Sequence, residues 1–260
     1  MSQRPTSKQR SDPSIGGDAV QHLAERALQL LSKTMPNGAE PPIAKFQDFT
    51  NAFLAADNIV RQDLLTHLMY SGVTSAQIIE DIIPATARYI GELWMQDKLS
   101  FAEVSIGSAR LQETVRALEQ PTDPKVNGPS VSLIVPQQEH HTLGAFVLAE
   151  QFRNLGCHTR VIVGTSLPNI LMELRRSAND LVGISIGGSR THSHAREMIG
   201  AIRRTIPVAF PIAVGGPGVN PSIDILEATG ADFVCTNASQ AIHFAKLELP
   251  PSVARSKKLA

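Results

Sequence analysis

The chain has 260 residues, 42% of them apolar, enough for one large domain or two ordinary ones with a substantial core. Its 24 basic and 24 acidic residues cancel, which argues against a protein that holds nucleic acid or membrane by net charge. Two cysteines outside any CxxC, Cys157 and Cys235, speak against a disulfide framework or a structural zinc site; with no signal-peptide pattern and no apolar run of about 18 residues, a soluble protein of the reducing cytoplasm is expected.

Residues 1–17 are polar and rich in Ser, Pro and Gly and read as a disordered tail; 251–260 read as a flexible tail of the same kind. From 18 to 118 the apolar residues recur at helical spacing. Val20, Leu23, Ala27, Leu28 and Leu31 make one stripe; Ile59, Leu64, Leu65 and Leu68 make another, with Gly72 as a stop signal. A long pattern starts at Thr74 or Ser75 and contains Pro84, which predicts a kink or break there. Ser100 and Glu103 stand in capping-box spacing and open a further helix. Four to five helices imply a small bundle.

Residues 119–130 are a linker by composition. From 131 to 250 short β-branched runs (VSLIVP, TRVIVG, LVGISIG, PIAVGG, DFVCT) alternate with helical candidates at 143–155, 168–178, 193–204, 221–229 and 238–247. Five strands alternating with helices predict a parallel sheet with right-handed crossovers, an α/β domain of flavodoxin-like, Rossmann-like type in strand order 2-1-3-4-5. Ligands of such sheets bind beyond the carboxyl ends of the strands at the switch point, where the loops after strands 1 and 3 lie.

Those loops carry QQEHHTLG, GGSRTHSH, GGPGVN and TNAS. Taken singly, a glycine after a strand is a turn residue, and a loop histidine is surface. His192 and His194 are expected to face solvent, and His140 to point elsewhere. No GxGxxG opens the first helix and no Walker motif is present, so a dinucleotide or nucleoside triphosphate site is poorly supported.

Spacing changes the weight of these residues. Glu139, His141 and Gly144 read ExHxxG; 40 residues (145–184) then precede Ser185-Ile186-Gly187, and 27 more (188–214) precede Gly215-Gly216. This resembles the cobalamin-binding signature DxHxxG, followed after about 41 residues by SxL and after roughly 26 to 28 more by GG. Glu139 replaces Asp and keeps the carboxylate. Gly187 replaces Leu, which reads as a loss of packing. In the helical half, IGELWMQDKLSFAEVS resembles the cap that precedes many cobalamin domains, LWxxGxxSxxxEH: Leu93, Trp94 and Ser100 match, Asp97 stands in place of Gly, and Val104-Ser105 in place of Glu-His. The resemblance covers about residues 55–245.

The resemblance implies a B12-binding domain that holds cobalamin base-off. The dimethylbenzimidazole tail enters a slot at the sheet edge and His141 becomes the lower axial cobalt ligand. Imidazole suits first-row transition metals, and Glu139 would accept the other ring N–H. Ser185 would extend that network or contact the tail, Gly215 and Gly216 would leave it room, and Trp94 would lie over the upper corrin face. The segment EHHTLGAFVLAEQFRNLG and the short helical lead resemble the AerR/PpaA group of cobalamin-binding antirepressors. This implies a non-enzymatic, light-responsive regulator of photosynthesis genes whose partner is a DNA-binding repressor of the PpsR/CrtJ kind. No helix-turn-helix with a basic face is recognisable, so direct sequence-specific DNA binding is not expected. Met95 and Val104-Ser105 speak against a CarH-like histidine switch and its tetramer, and the cofactor implied is hydroxo-, aquo- or adenosylcobalamin. Two alternatives stay open: a corrinoid methyl carrier of a methyltransferase system, and a sensor holding haem through the same histidine.

Overall fold

A computed structural model describes residues 47–119, 127–139, 142–219 and 223–250. The expected tails 1–17 and 251–260, the stripe from Val20 to Leu31, most of the linker, His140 and His141 lie outside the described residues. The chain forms two compact units, Met1–Thr74 and Ser75–Ala260.

In the first unit, α1 (Gln47–Leu54) precedes α2 (Asn58–Tyr70). Asp57 caps α2 by accepting the Ile59 N–H at 2.8 Å, which satisfies one of the first-turn donors. The buried stripe of α2 runs through Arg61, Leu64 and Leu68. Ile59, expected on that stripe, is 60% exposed because five residues of helix turn it well away from Leu64. Gly72 follows with φ +90°, the left-handed stop its type suits.

The second unit opens with α3 (Ser75–Gln77), a π-helical turn (Ile78–Ile82) and α4 (Ile83–Met95). The break expected at Pro84 takes this form for a physical reason. Proline has no N–H to give, and its ring crowds the carbonyl four residues back. The ladder widens just before it, and the Ile83 N–H donates to Ile78 O, five residues away. The next helix, α5 (Phe101–Leu118), starts with the expected capping box. The Ser100 N–H donates to Glu103 Oε2 at 2.7 Å, and the Glu103 N–H donates to Ser100 Oγ at 3.3 Å.

The sheet is parallel throughout, in the order β2-β1-β3-β4-β5. Its strands are β1 (Ser130–Val135), β2 (His158–Val163), β3 (Leu181–Ser185), β4 (Ile212–Gly215) and β5 (Phe233–Val234). Between and after them run α6 (Leu143–Asn154), α7 (Leu167–Arg176), α8 (Ser189–Thr205), α9 (Ile225–Thr229) and α10 (Ala238–Ala245). The flavodoxin-like order matches the expectation from sequence. α8 begins four residues earlier than the expected 193.

Alternation along each strand builds two cores. Val131 and Leu133 of β1, Leu181 of β3 and Ala213 of β4 face α6 and α10, packing with Ala149, Phe152, Ala241 and Ile242. Ile134, Val182, Ile184, Ile212 and Val214 face the opposite side, where α7 and α8 supply Ile170, Leu174, Ile199 and Ile202. Strands buried on both faces need near-continuous apolar runs, which explains their composition. Fully burying one such aliphatic side chain is worth about 1.5–3 kcal/mol.

The helical lead is tied to α6. Arg116 of α5 places its guanidinium 4.8 Å from the ring centroid of Phe146. Arg153 pairs with Glu119 at 3.2 Å, and Asn154 Nδ2 donates to Glu80 Oε1 at 2.7 Å. The helix that follows the histidine loop therefore carries α5 and the π-helical turn on its flank. No helix among the described residues is long and apolar enough to cross a membrane.

Candidate functional site

All four crossover loops at one sheet edge begin where their strands end, so β1, β3 and β4 deliver their following residues to a common place. After β1, the chain turns at Pro136 and the Glu139 N–H donates to Pro136 O at 2.9 Å. That turn buries Glu139 to 5% exposure. Its carboxylate lies against the backbone of Gly187 in the loop after β3: a Cβ there would stand 2.6 Å from Glu139 Cδ and 2.7 Å from Oε1. The residue read from sequence as a lost packing contact is thus the seat of the carboxylate. Glutamate is one methylene longer than aspartate, and the missing side chain at 187 makes room for it.

β3 and β4 bring the next residues together. Ser185 is the register partner of Gly215, and the Ile186 N–H donates to Gly215 O at 2.9 Å. Gly216 has φ +113°, which only glycine adopts without strain. A Cβ at Gly216 would approach Ile186 O to 2.8 Å and Ser185 Oγ to 3.3 Å; one at Gly215 would meet Cys235 O at 2.5 Å. These glycines let three loops approach backbone to backbone. Gly144, in the first turn of α6, faces open space, as does Gly188.

The helical half contributes Trp94, on the last turn of α4. It is 48% exposed, beside Met95 at 80%, with Phe101 at 76% and Ile106 at 47% across the junction to α5. Asp97, which stands where the cap pattern has Gly, has φ +54°, a left-handed turn that explains a glycine in the pattern. Val104 and Ser105 lie on the first turns of α5, where the Ser105 hydroxyl donates to Phe101 O at 2.8 Å.

Of the expected site residues, Glu139, Ser185, Gly187, Gly215 and Gly216 meet at this edge, and Gly144 opens the helix that follows the first loop. His141 lies outside the described residues. Among the described residues no cluster of three or more His, Cys, Asp or Glu side chains is placed to hold a metal ion. One residue was misjudged from sequence. His192 and His194 were expected to face solvent; both lie in α8, where His194 is partly exposed but His192 is buried at 7% exposure, with Nε2 2.9 Å from Gly218 O. SRTHSH lacks apolar periodicity, which hid the helix start. The signal available was Thr191, three residues after Gly188: its hydroxyl accepts the Gly187 and Gly188 N–H groups at 3.0 and 3.1 Å, as a capping side chain does.

The B12 binding domain family matches residues 129–242, which span the whole sheet and the loops at its edge but not the helical half that carries Trp94. A Rhodobacter capsulatus protein described as an uncharacterized 20.5 kDa protein in the bchF-crtJ intergenic region is 31% identical over 164 residues, 62% of this chain and 85% of that one. Among solved structures, the monomethylamine corrinoid protein of Methanosarcina barkeri superposes with TM-score 0.58 at 14% identity, over 77% of this chain and 96% of that one. The last likeness concerns the fold.

Proposed function

We propose that this chain, which belongs to the B12-binding domain family, is a cobalamin-binding, light-responsive regulator of transcription: an antirepressor that acts on a repressor of the PpsR/CrtJ kind in the cytoplasm rather than an enzyme. The observation that carries the cofactor assignment is the meeting of a buried Glu139 with Gly187, beside Ser185, Gly215 and Gly216. The regulatory assignment is supported by the relative encoded between bchF and crtJ.

The residues fit the group. A carboxylate buried two positions before a histidine is the partner that an axial imidazole needs. Glu139 would accept one ring N–H of His141 and leave the other nitrogen with a lone pair for the metal. Ser185 and the glycine pair would border the nucleotide tail, and Trp94 would cover the upper face. Bound there, cobalamin would supply a cobalt centre and, in its alkylated forms, a light-sensitive bond.

The chain's own contribution is to couple that event to a surface. A ligand biases a protein only by binding two of its states differently. The element best placed to have two states is the α4–α5 junction, because its apolar side chains are exposed. Its motion reaches α6 through Arg116–Phe146 and Asn154–Glu80.

The test is the repressor's grip on its operator. Adding the cobalamin-loaded chain should release a PpsR/CrtJ-type repressor from operator DNA in a light-dependent manner, and the cobalamin-free chain should not. A repressor–DNA complex indifferent to the loaded chain in dark and light would sink the antirepressor reading.

A further inference from the structure

We infer that His192 is a positioning residue for the slot that takes the nucleotide tail of the corrinoid; the inference rests on the cofactor reading above. The tail would enter where β3 and β4 end, so the width of that entry depends on the loops after these two strands. Side chains do not space these loops: they are in backbone contact. A Cβ at Gly218 would stand 2.5 Å from Gly188 N and 2.8 Å from Ile186 O.

Two hydrogen bonds hold the contact. The Gly218 N–H donates to Ile186 O at 2.8 Å, which joins the second loop to the first. On its other side, Gly218 O receives His192 Nε2 at 2.9 Å. A carbonyl has no proton to give, so Nε2 carries it. His192 therefore ties the loop after β4 to the first turn of α8. The same turn holds the loop after β3, through the Thr191 hydroxyl. That hydroxyl accepts the Gly187 and Gly188 N–H groups and donates to Gly188 O at 2.6 Å. One helical turn thus fixes both loops, and through Gly187 it fixes the seat of Glu139.

His192 is 7% exposed and is bonded to the second loop at the Gly218 carbonyl, so it acts on a ligand through that loop. Its removal frees the loop that follows Gly215 and Gly216, while the register of β3 with β4 is kept by the strands themselves. Corrinoids with and without the nucleotide tail should feel this differently. Cobinamide, which lacks the tail, does not use the slot.

Absorbance titration of the full chain with hydroxocobalamin and with cobinamide tests this. His192→Ala should weaken hydroxocobalamin binding roughly tenfold and cobinamide binding less than about twofold, the scale of one lost hydrogen bond in a preorganised site. His192→Gln, whose amide N–H stands near the place of Nε2, should restore most of the loss. His192→Asn, polar but too short, should behave like His192→Ala and decides the matter where the alanine variant does not fold. Equal loss for both corrinoids, or none for either, overturns the inference and leaves the cofactor reading intact. A wild-type chain that takes up no hydroxocobalamin overturns both.

Discussion

The carboxylate of Glu139 occupies the space that a side chain at Gly187 would fill: a Cβ on Gly187 would stand 2.6 Å from Glu139 Cδ. The two departures from the DxHxxG and SxL patterns are therefore one feature, a longer acid matched by a smaller neighbour. Gly187→Ala should displace the carboxylate. Because the displaced atoms end a flexible side chain, the cost should fall more on cobalamin affinity than on folding, roughly tenfold on the former. Adding Glu139→Asp should recover part of it. A double-mutant cycle on the dissociation constant checks this, and strict additivity of the two changes would refute the coupling.

Trp94 and Ile90 sit on the same helix but in different surroundings, 48% and 2% exposed. Ile90→Ala should cost about 2–5 kcal/mol of unfolding free energy, the usual range for emptying a core aliphatic site. Trp94→Ala should cost less than about 1.5 kcal/mol. Its effect should appear instead in the rate of the light-driven spectral change. Denaturant melts of both variants, with photolysis rates of the second, separate the two roles.

Glu103 gives a pH dependence with a defined sign. The Ser100 backbone N–H first, and its hydroxyl second, hold the Glu103 carboxyl below the usual carboxylate range. A group with a depressed folded value stabilises above its unfolded pKa and loses that stabilisation as pH falls through the folded value. The start of α5 should therefore loosen on acidification below about pH 4.3, the ordinary Glu value. Glu103→Gln should be less stable than wild type at neutral pH and show less further loss on acidification. Thermal melts across this range make the comparison.

Cys157 and Cys235 are both buried. Burial pushes their thiols up to about 12 and about 11. Thiolates are the reactive form, so neither should react with a thiol-specific reagent at neutral pH in the folded chain, and both should react after unfolding. Fast labelling of the native chain would contradict the packing of Cys157 and Cys235 against α6 and α10.

The sheet was legible because strands buried on both faces leave continuous apolar, β-branched-rich runs, and the neighbours Leu133 and Ile134 serve opposite cores. The site was legible in its order along the chain, since loops that close on one sheet edge keep the spacing of their strands. What sequence did not reveal depends on contacts between those loops. Gly187 reads as a deletion until Glu139 is seen against it. His192 reads as surface until Gly218 is brought beside it by β4. The polar start of α8 is stabilised by Thr191 and the loop glycines, which no periodicity records. Ile59 was misplaced because the stripe of α2 runs through a buried Arg61 instead.

The account turns on His141 as the axial ligand. The direct measurement is the absorption spectrum of the chain loaded with an alkylcobalamin, before and after blue-green light, for wild type and His141→Ala. The account predicts a corrinoid spectrum that changes on illumination in the wild type, with the histidine-ligated signature and most of the affinity lost in the variant. A light-insensitive haem-type Soret band, or a His141→Ala protein whose cobalamin spectrum and affinity match the wild type, would contradict it.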